Sequence, residues 1–117
     1  MADARENNVG YFTMSVPDVA RGRSFFTHVF GWSYDATPDL DRYSHIAASE
    51  PPGGIHAASP TGFTVYFRVA DIDGAAQRIR EAGGTAAEPA QSATGRYAAC
   101  SDDQGLTFSL WEPAPGF

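Results

Sequence analysis

The sequence predicts an α+β fold built from two βαβββ modules, and three observations carry that prediction. Strand-like alternation of apolar and polar residues occurs twice, at residues 10–16 and 63–69. Each alternating segment leads into an aspartate, an apolar helical stripe and a closing glycine. The two copies superimpose when Asp18 is aligned with Asp71, which lies 53 residues further along the chain. A regular period of this length is typical of an internal duplication.

The first module begins with "GYFTMSV", residues 10–16, in which side chains alternate at the period of a half-buried strand. Asp18 then suits the N-cap of a helix, because its carboxylate can accept backbone N–H groups of the first turn. Gly31 suits the left-handed conformation that often follows the last helical turn. The helix between them is expected to bury one apolar stripe, made of Val19, Gly22, Phe26, Val29 and Phe30.

The second module repeats this order from "FTVYFRV", residues 63–69. Either Asp71 or Asp73 is expected to cap the next helix, and Gly83-Gly84 is expected to end it. The expected apolar stripe of this helix is Ile72, Ala75, Ala76, Ile79 and Ala82.

Three short strand-like segments follow each helix, separated by turn-forming residues. In the first module they are "WSYDA" (32–36), "RYSHIAA" (42–48) and "GGIHAA" (53–58). In the second they are "GTAAEP" (84–89), "GRYAACS" (95–101) and "LTFSLWE" (106–112), with "AQSATG" and "DDQG" as loops. The modules then span about residues 9–58 and 62–113. Because neither could cover its own sheet alone, we expect residues 1–117 to form a single domain.

Composition excludes several classes of function. The net charge of −6 repels phosphate backbones and anionic membrane surfaces, so no nucleic-acid or membrane partner is expected. All eight basic residues are arginines, which excludes enzymes that form a Schiff base on a lysine and nucleotide-binding proteins that need a P-loop lysine. Cys100 is the only cysteine, so no internal disulfide can form, and the start "MADARENNVG" lacks the apolar run of a signal peptide. We therefore expect a cytoplasmic protein.

Several motifs stand in a specific order along the chain. They are the junctions "VPD" and "VAD", then "FFTHVFGW" and "IREAGG" at the helix ends, and "DDQGLTFSLWEP" near the last strand. This order resembles the vicinal oxygen chelate superfamily, which includes glyoxalases, bleomycin-resistance proteins and extradiol dioxygenases, and the likeness covers residues 9–113. The resemblance implies a curved eight-stranded mixed sheet around a concave cleft, with the helices outside. It also implies a homodimer.

Strand alternation indicates which side chains would face that cleft. If Phe12, Met14 and Val16 pack under a helix, their neighbours Tyr11, Thr13 and Ser15 must lie on the other face, and the second module follows the same rule. This face could instead be the solvent side of an antiparallel sheet. We predict a cleft that binds a small molecule through Tyr11, Thr13, His56, Thr64, Tyr66, Arg68, Ser109 and Trp111.

The resemblance also allows a metal site to be tested against the residues present. Metal-dependent members of the superfamily take ligands, mostly His and Glu, from the first and last strand of each module. Carried onto this chain, those positions are Tyr11, His56, Thr64 and Ser109. Only His56 is a good ligand, and a divalent cation needs three or four suitable donors. We therefore expect no resident metal and no other cofactor, although His45 could add a second imidazole if it faces the cleft.

Candidate catalytic groups are few. His56 could act as a general base or a hydrogen-bonding anchor, or it could be a half-buried imidazole satisfied by backbone; Tyr66 is the other candidate. No nucleophile pairs with His56 in the sequence pattern. Arg68 could bind an anion, but pairing with an acidic residue of its own chain is the more common role of such an arginine.

Three functions from different classes fit these residues. The first is a metal-free protein that binds an aromatic or amphipathic compound. The second is a superfamily enzyme (lyase, isomerase or dioxygenase), working by acid/base chemistry through His56 or through a divalent metal. The third is a regulatory or structural domain whose cleft is filled by its own side chains. The first is favoured, because the predicted face combines tyrosine rings and polar groups with few metal-ligand side chains.

Overall fold

The computed structural model describes residues 5–117, which form eight strands and two helices. The helices are α1 (Val19–Phe30) and α2 (Ile72–Glu81). The strands are β1 (Val9–Val16), β2 (Tyr43–His45), β3 (Gly53–Ala57), β4 (Gly62–Arg68), β5 (Thr85–Ala86), β6 (Ala90–Ser92), β7 (Gly95–Ser101) and β8 (Thr107–Pro113).

The residues cluster into two compact units. The first unit is Tyr11–Thr64, and the second combines Val65–Phe117 with residues 5–10. In the first unit the strand order is β2-β3-β1, with β1 parallel to β3 and β2 antiparallel to it. Its core is formed by Met14, Val19, Ile46 and Ile55.

The second unit has the strand order β4-β8-β7, and both β5 and β6 pair with β7. Strand β4 is parallel to β8, and β7 is antiparallel to it. The core packs between the sheet and α2, and it consists of Val69, Ile72, Ala75, Ala98, Cys100 and Leu110.

Parallel and antiparallel strand pairs occur within each unit, and the eight strands and two helices together confirm the predicted α+β class with mixed strand pairing. The strands are distributed differently from the prediction. Residues 32–36 were expected to form a strand, but only Tyr34 makes an isolated bridge there, to Ile46. Conversely β6 lies inside the segment 90–95, for which the sequence predicts a loop, because the two-residue turn at Ala93-Thr94 lets residues 90–92 fold back on β7.

Both predicted helix starts are confirmed, since Asp18 accepts a hydrogen bond from the Arg21 amide and Asp71 accepts one from the Gly74 amide, each at 3.1 Å. Asp71, and not Asp73, is thus the cap of α2. Gly31 follows α1 with a φ of 72°, in the left-handed region that glycine favours. In the described part of the chain, neither helix is long and apolar enough to cross a membrane.

The expected apolar stripe of α1 is wrong at its C-terminal end. Val19 is buried and Phe26 packs on the core, but Val29 is 49% exposed and Phe30 is 61% exposed. The aromatic contacts explain this difference, because Trp32, just beyond the helix, stacks on Phe26 and packs into the core. Phe30 instead rests on the outer side of these two rings.

Candidate functional site

One face of the first unit collects the polar side chains that the sequence predicts for a binding site. Phe12, Met14 and Val16 of β1 pack into the core under α1, so the alternate residues of β1 lie on the opposite face. Parallel pairing sets Thr13 beside Gly54 and Ser15 beside His56. We call this surface, formed by Tyr11, Thr13, Ser15, Tyr43, His45, Gly54 and His56, the first open face.

His56 has a side-chain partner on this face that the sequence pattern does not reveal. Ser15 Oγ and His56 Nε2 are 2.8 Å apart, within hydrogen-bond distance, and both residues are half-buried. The two residues are opposite one another in the register of β1 and β3, although 41 positions separate them in the chain. Imidazole and hydroxyl together form a pair that can donate and accept hydrogen bonds.

A second pair lies on the same face and settles the orientation of His45. Because Ser44 and Ile46 are fully buried, His45 between them points to the open side. Its Nδ1 is 3.1 Å from the hydroxyl oxygen of Tyr11, and the two rings are nearly parallel with centroids 6.0 Å apart. On its other side Nε2 is 4.0 Å from a carboxylate oxygen of Asp35. The apolar Ile46 is the sequence signal that could have fixed this orientation.

Tyr43 is a further residue of the first open face that the predicted set lacks. It lies opposite His56 across β2 and β3, and its ring lies against the backbone of Gly54. A Cβ atom at Gly54 would clash with the end of that ring, and one at Gly53 would clash with Phe12 on the helix side. The "GG" of "GGIHAA" therefore lets one aromatic ring approach each side of β3.

The second unit places its predicted residues on a chemically different surface. Tyr66 lies beside Ser109, and Arg68 beside Trp111, in the parallel pairing of β4 and β8. The guanidinium carbon of Arg68 is 5.4 Å from the centroid of the Trp111 ring, a cation–π distance. We call this surface, formed by Tyr66, Arg68, Tyr97, Ala99, Ser109 and Trp111, the second open face.

Arg68 is held by contacts within its own chain. Its Nη2 donates a hydrogen bond of 2.9 Å to the backbone carbonyl of Phe117. Trp111 is fixed in turn, because its indole N–H donates to the carbonyl of Thr94 at 3.1 Å. These bonds support the structural role expected for Arg68 and hold the indole edge in place.

The predicted site residues thus fall into two groups. Tyr11, Thr13 and His56 share the first open face, while Tyr66, Arg68, Ser109 and Trp111 share the second. Thr13 and Ser109 are buried, and Thr64 is half-buried on β4. The expectation that all eight residues line one shared cleft stays a prediction.

Hydrogen bonds and burial shift the pKa values of Asp102, Asp73 and Cys100. Backbone amides of Gln104 and Leu106 donate to the Asp102 carboxylate, both at 2.8 Å, and they lower its pKa. Arg96 lowers the pKa of Asp73 through a two-pronged hydrogen bond. Burial raises the pKa of the Cys100 thiol, which belongs to the core of the second unit.

Metal-ligand side chains do not cluster in the part of the chain that the structure describes: residues 5–117 contain no group of three or more His, Cys, Asp or Glu side chains. At the four positions taken from the superfamily pattern stand three hydroxyl groups and one imidazole. Neutral hydroxyls are poor ligands for zinc or iron. This set of donors does not fit the metal centre of the metal-dependent members.

The sequence comparisons place this chain in a family. The sequence profile of the glyoxalase/bleomycin resistance protein/dioxygenase superfamily matches residues 8–110, and the chain therefore belongs to that superfamily. It is 26% identical to the anthracycline biosynthesis protein DauV of Streptomyces sp. (strain C5), over 86% of this chain. It is 23% identical to CFP32 of Mycobacterium tuberculosis, over 95% of this chain. The chain spans about half the length of these curated relatives, 45% and 48%.

Solved structures confirm the fold. Methylmalonyl-CoA epimerase from Mycobacterium tuberculosis is similar with a TM-score of 0.69 and 16% identity, over 98% of this chain and 93% of that one. A variant of homoprotocatechuate 2,3-dioxygenase from B. fuscum is similar with a TM-score of 0.72 and 16% identity, over 96% of this chain and 35% of that one. At such identities the likeness concerns the backbone.

Proposed function

We propose that this chain binds a planar, polar aromatic compound on its first open face, without a resident metal. The observation that carries the proposal is the pair of hydroxyl–imidazole contacts on that face, Ser15 with His56 and Tyr11 with His45. Hydroxyl and imidazole groups can each act as donor or acceptor, so they match a ligand that carries phenol or ketone groups. Aromatic rings of Tyr11 and Tyr43 offer flat surfaces for stacking.

The name of one relative supports a choice of probe. DauV is named as an anthracycline biosynthesis protein, and anthracyclines are fused-ring compounds with ring hydroxyl and ketone groups. We therefore use an anthracycline as the test ligand, alongside smaller hydroxylated quinones. A ligand that binds only the folded protein raises the melting temperature in proportion to the logarithm of its concentration.

The proposal is tested by thermal shift and isothermal titration calorimetry on the wild type and on His56→Ala. We expect saturable binding to the wild type and a loss of affinity of about tenfold in the variant, the usual cost of one hydrogen-bonding anchor. His28→Ala is the matched control, because His28 is an exposed residue of α1. Equal binding by His56→Ala and the wild type would place the ligand elsewhere and refute the proposal.

The metal-free part of the proposal has its own test. The support for it is the donor set at the superfamily positions, where Tyr11, Thr64 and Ser109 carry hydroxyls. We expect Ni²⁺, Zn²⁺, Mn²⁺ and Fe²⁺ each to leave the melting temperature unchanged. Protein purified without chelator should carry less than about a tenth of an equivalent of metal, because the site lacks suitable ligands. Stoichiometric metal that survives dialysis would contradict this.

Acid/base catalysis through His56 is a second candidate, and the 2.8 Å contact between Ser15 and His56 favours it. An imidazole whose ring is fixed by a hydroxyl can remove a proton from a carbon next to a carbonyl group. Exchange of such protons for deuterium, followed by NMR with ketones and thioesters, would reveal this activity. Exchange that persists in His56→Ala would show that His56 is not the base. A role for Tyr66 as the second catalytic group stays a prediction.

Homodimer formation and a cytoplasmic location also stay predictions. We expect sedimentation velocity to give twice the mass of the chain at micromolar concentration. A monomer at every concentration would contradict the homodimer. The cytoplasmic location is checked by fractionation of the producing cells.

A further inference from the structure

An apolar groove lies between α2 and the sheet of the second unit, on the helix side and away from the second open face. Its volume is about 370 Å³, within the usual range of small-ligand pockets, about 300–1,000 Å³. The apolar lining comes from β4, α2 and β8 and from the residues directly after β4 and α2, and all lining residues belong to this unit. They are Asn7, Phe67, Val69, Ala75, Arg78, Ile79, Ala82, Phe108 and Leu110.

The floor of the groove is a continuous apolar surface. Val69 and Leu110 are buried at its base, and the rings of Phe67 and Phe108 meet edge to face with centroids 5.7 Å apart. Both phenylalanines and Ile79 are only half-buried, so apolar area that packs on the core from one side still faces the groove. Removing this area from water would favour binding of an apolar group.

Two polar side chains stand at the edge of this floor, Arg78 of α2 and Asn7 just before β1. Among residues 5–117, the side chains of Arg78 and Asn7 have no hydrogen-bond or ion-pair partner. By contrast Arg80, two positions further along α2, donates to the Ala86 carbonyl and lies 3.9 Å from Glu88. Arg78 therefore offers a planar set of N–H donors beside an apolar groove, in a chain whose net charge is negative.

We propose that this groove is a second binding site, specific for an amphiphile with a carboxylate head and a chain of about ten carbons. The carboxylate would accept from the Arg78 guanidinium and the Asn7 amide, because a carboxylate matches the fork of arginine donors. The chain would cover Phe67 and Phe108. The length of this hydrocarbon chain follows from the groove volume of about 370 Å³. Each carbon is taken to need roughly the 30 Å³ that a water-sized group occupies in a liquid. This site is independent of the first open face.

Decanoate, used below its micelle-forming concentration, is the probe. Titration is followed by ¹H–¹⁵N NMR and calorimetry on the whole chain, with octanoate and 1-decanol as comparisons. We expect amide shifts at Phe67, Ile79 and Phe108. Octanoate, which is two methylenes shorter, should bind about fifteenfold more weakly at roughly a fourfold loss per methylene, and decanol should bind clearly more weakly than decanoate. Binding of decanol equal to that of decanoate would overturn the role of the carboxylate.

Two variants with matched controls test the residues. Arg78→Gln should weaken decanoate about tenfold, as expected for a charge-assisted hydrogen bond, while Arg21→Gln on α1 removes the same charge without effect. Ala82→Phe should fill the groove and abolish binding, whereas Glu81→Phe, an exposed neighbour that does not line it, should not. The proposal fails if both groove variants bind like the wild type. It also fails if decanoate does not bind the wild type. If Ala82→Phe then changes the sedimenting mass, the groove is an interface between copies of the chain.

Discussion

The two open faces occupy equivalent strands of a duplicated chain but carry different chemistry. On the first, imidazoles and hydroxyls pair with each other, as Ser15 does with His56. On the second, a guanidinium lies over an indole ring and donates to the backbone, as Arg68 does with Trp111 and Phe117. Under the shift of 53 residues Ser15 corresponds to Arg68, so the same strand position serves two chemical roles.

This difference shows which parts of the repeat fix the fold and which are free to vary. The strand, the capping aspartate and the apolar stripe recur because each is needed to form a βα unit. Residues on the open side make no contribution to the core under the helix, so they can diverge. Among the described residues, the imidazole side chains of the two open faces, His45 and His56, both belong to the first face.

The strongest way to disrupt the first open face is Gly54→Ala. The added methyl group would clash with the Tyr43 ring, which must turn away from the sheet. We expect a loss of about 1–3 kcal/mol in the free energy of unfolding, the usual cost of overpacking, measured by urea denaturation. Gly62→Ala is the control, because nothing lies within 4 Å of its added methyl. If the two variants are equally stable, Tyr43 does not rest on β3 as described.

Ser15→Ala tests the hydrogen-bonded pair of the first face. Removing the hydroxyl leaves His56 Nε2 without that partner, and we expect a loss of about 1 kcal/mol. NMR of the imidazole nitrogens should also show a change in tautomer balance. Ser24→Ala, on the exposed surface of α1, should change stability by only a few tenths. An unchanged imidazole spectrum in Ser15→Ala would mean that the pair is not formed in solution.

Arg68→Met tests how much the arginine contributes to the second open face. The variant keeps an aliphatic stem but loses the cation–π contact and the bond to the Phe117 carbonyl. Because the site is partly exposed, we expect a loss of about 0.5–1 kcal/mol in urea denaturation. Trp111 fluorescence should shift as well. Stability equal to that of the wild type with unchanged fluorescence would show that Arg68 does not contribute to the second face.

The smallest effect is expected in the turn between β7 and β8, where the pKa of Asp102 is lowered by hydrogen bonds from backbone amides. Because its folded pKa lies below the unfolded value of about 3.9, the carboxylate stabilises the fold above that pH, and the stabilisation is lost as the pH falls through the folded pKa. Asp102→Ala should therefore be less stable than the wild type at pH 7, with the difference closing below pH 3.9.

Asp103→Ala is the control for that experiment, because the neighbouring carboxylate accepts no hydrogen bond in the described structure. Its pH profile should follow the wild type throughout. A gap between Asp102→Ala and the wild type that stays constant down to pH 2 would show that the carboxylate's charge is not the cause.

Much of the fold could be predicted from local patterns. Asp18 and Asp71 identify the helix starts, since capping depends on residues only three positions apart. The predictions for residues 32–36 and 90–92 are wrong, because very short strands are defined by their partners and not by their own sequence. Val29 and Phe30 were placed in the core because the helical period does not show that Trp32 would occupy that space.

The site was harder to predict than the fold. Alternation along β1 placed Tyr11 and Thr13 on the open side, but the contact of Ser15 with His56 depends on the register between β1 and β3. Register across strands is set by pairing between distant segments, and a shift of one residue would reverse every side chain. Ile46 could have oriented His45, since a strongly apolar residue marks the core side of a strand.

The course of the chain into β1 has a practical consequence for dividing the protein. Asn7 and Asn8 form backbone hydrogen bonds with Arg68, at 2.6 and 2.8 Å, and the residues up to Gly10 cluster with the second half of the sequence. A fragment that starts at Pro60 would therefore leave the amide and carbonyl of Arg68 unsatisfied. The sequence repeat and the folding unit have different borders, and a split gene would rebuild the protein best if residues 5–10 were also attached to the second piece.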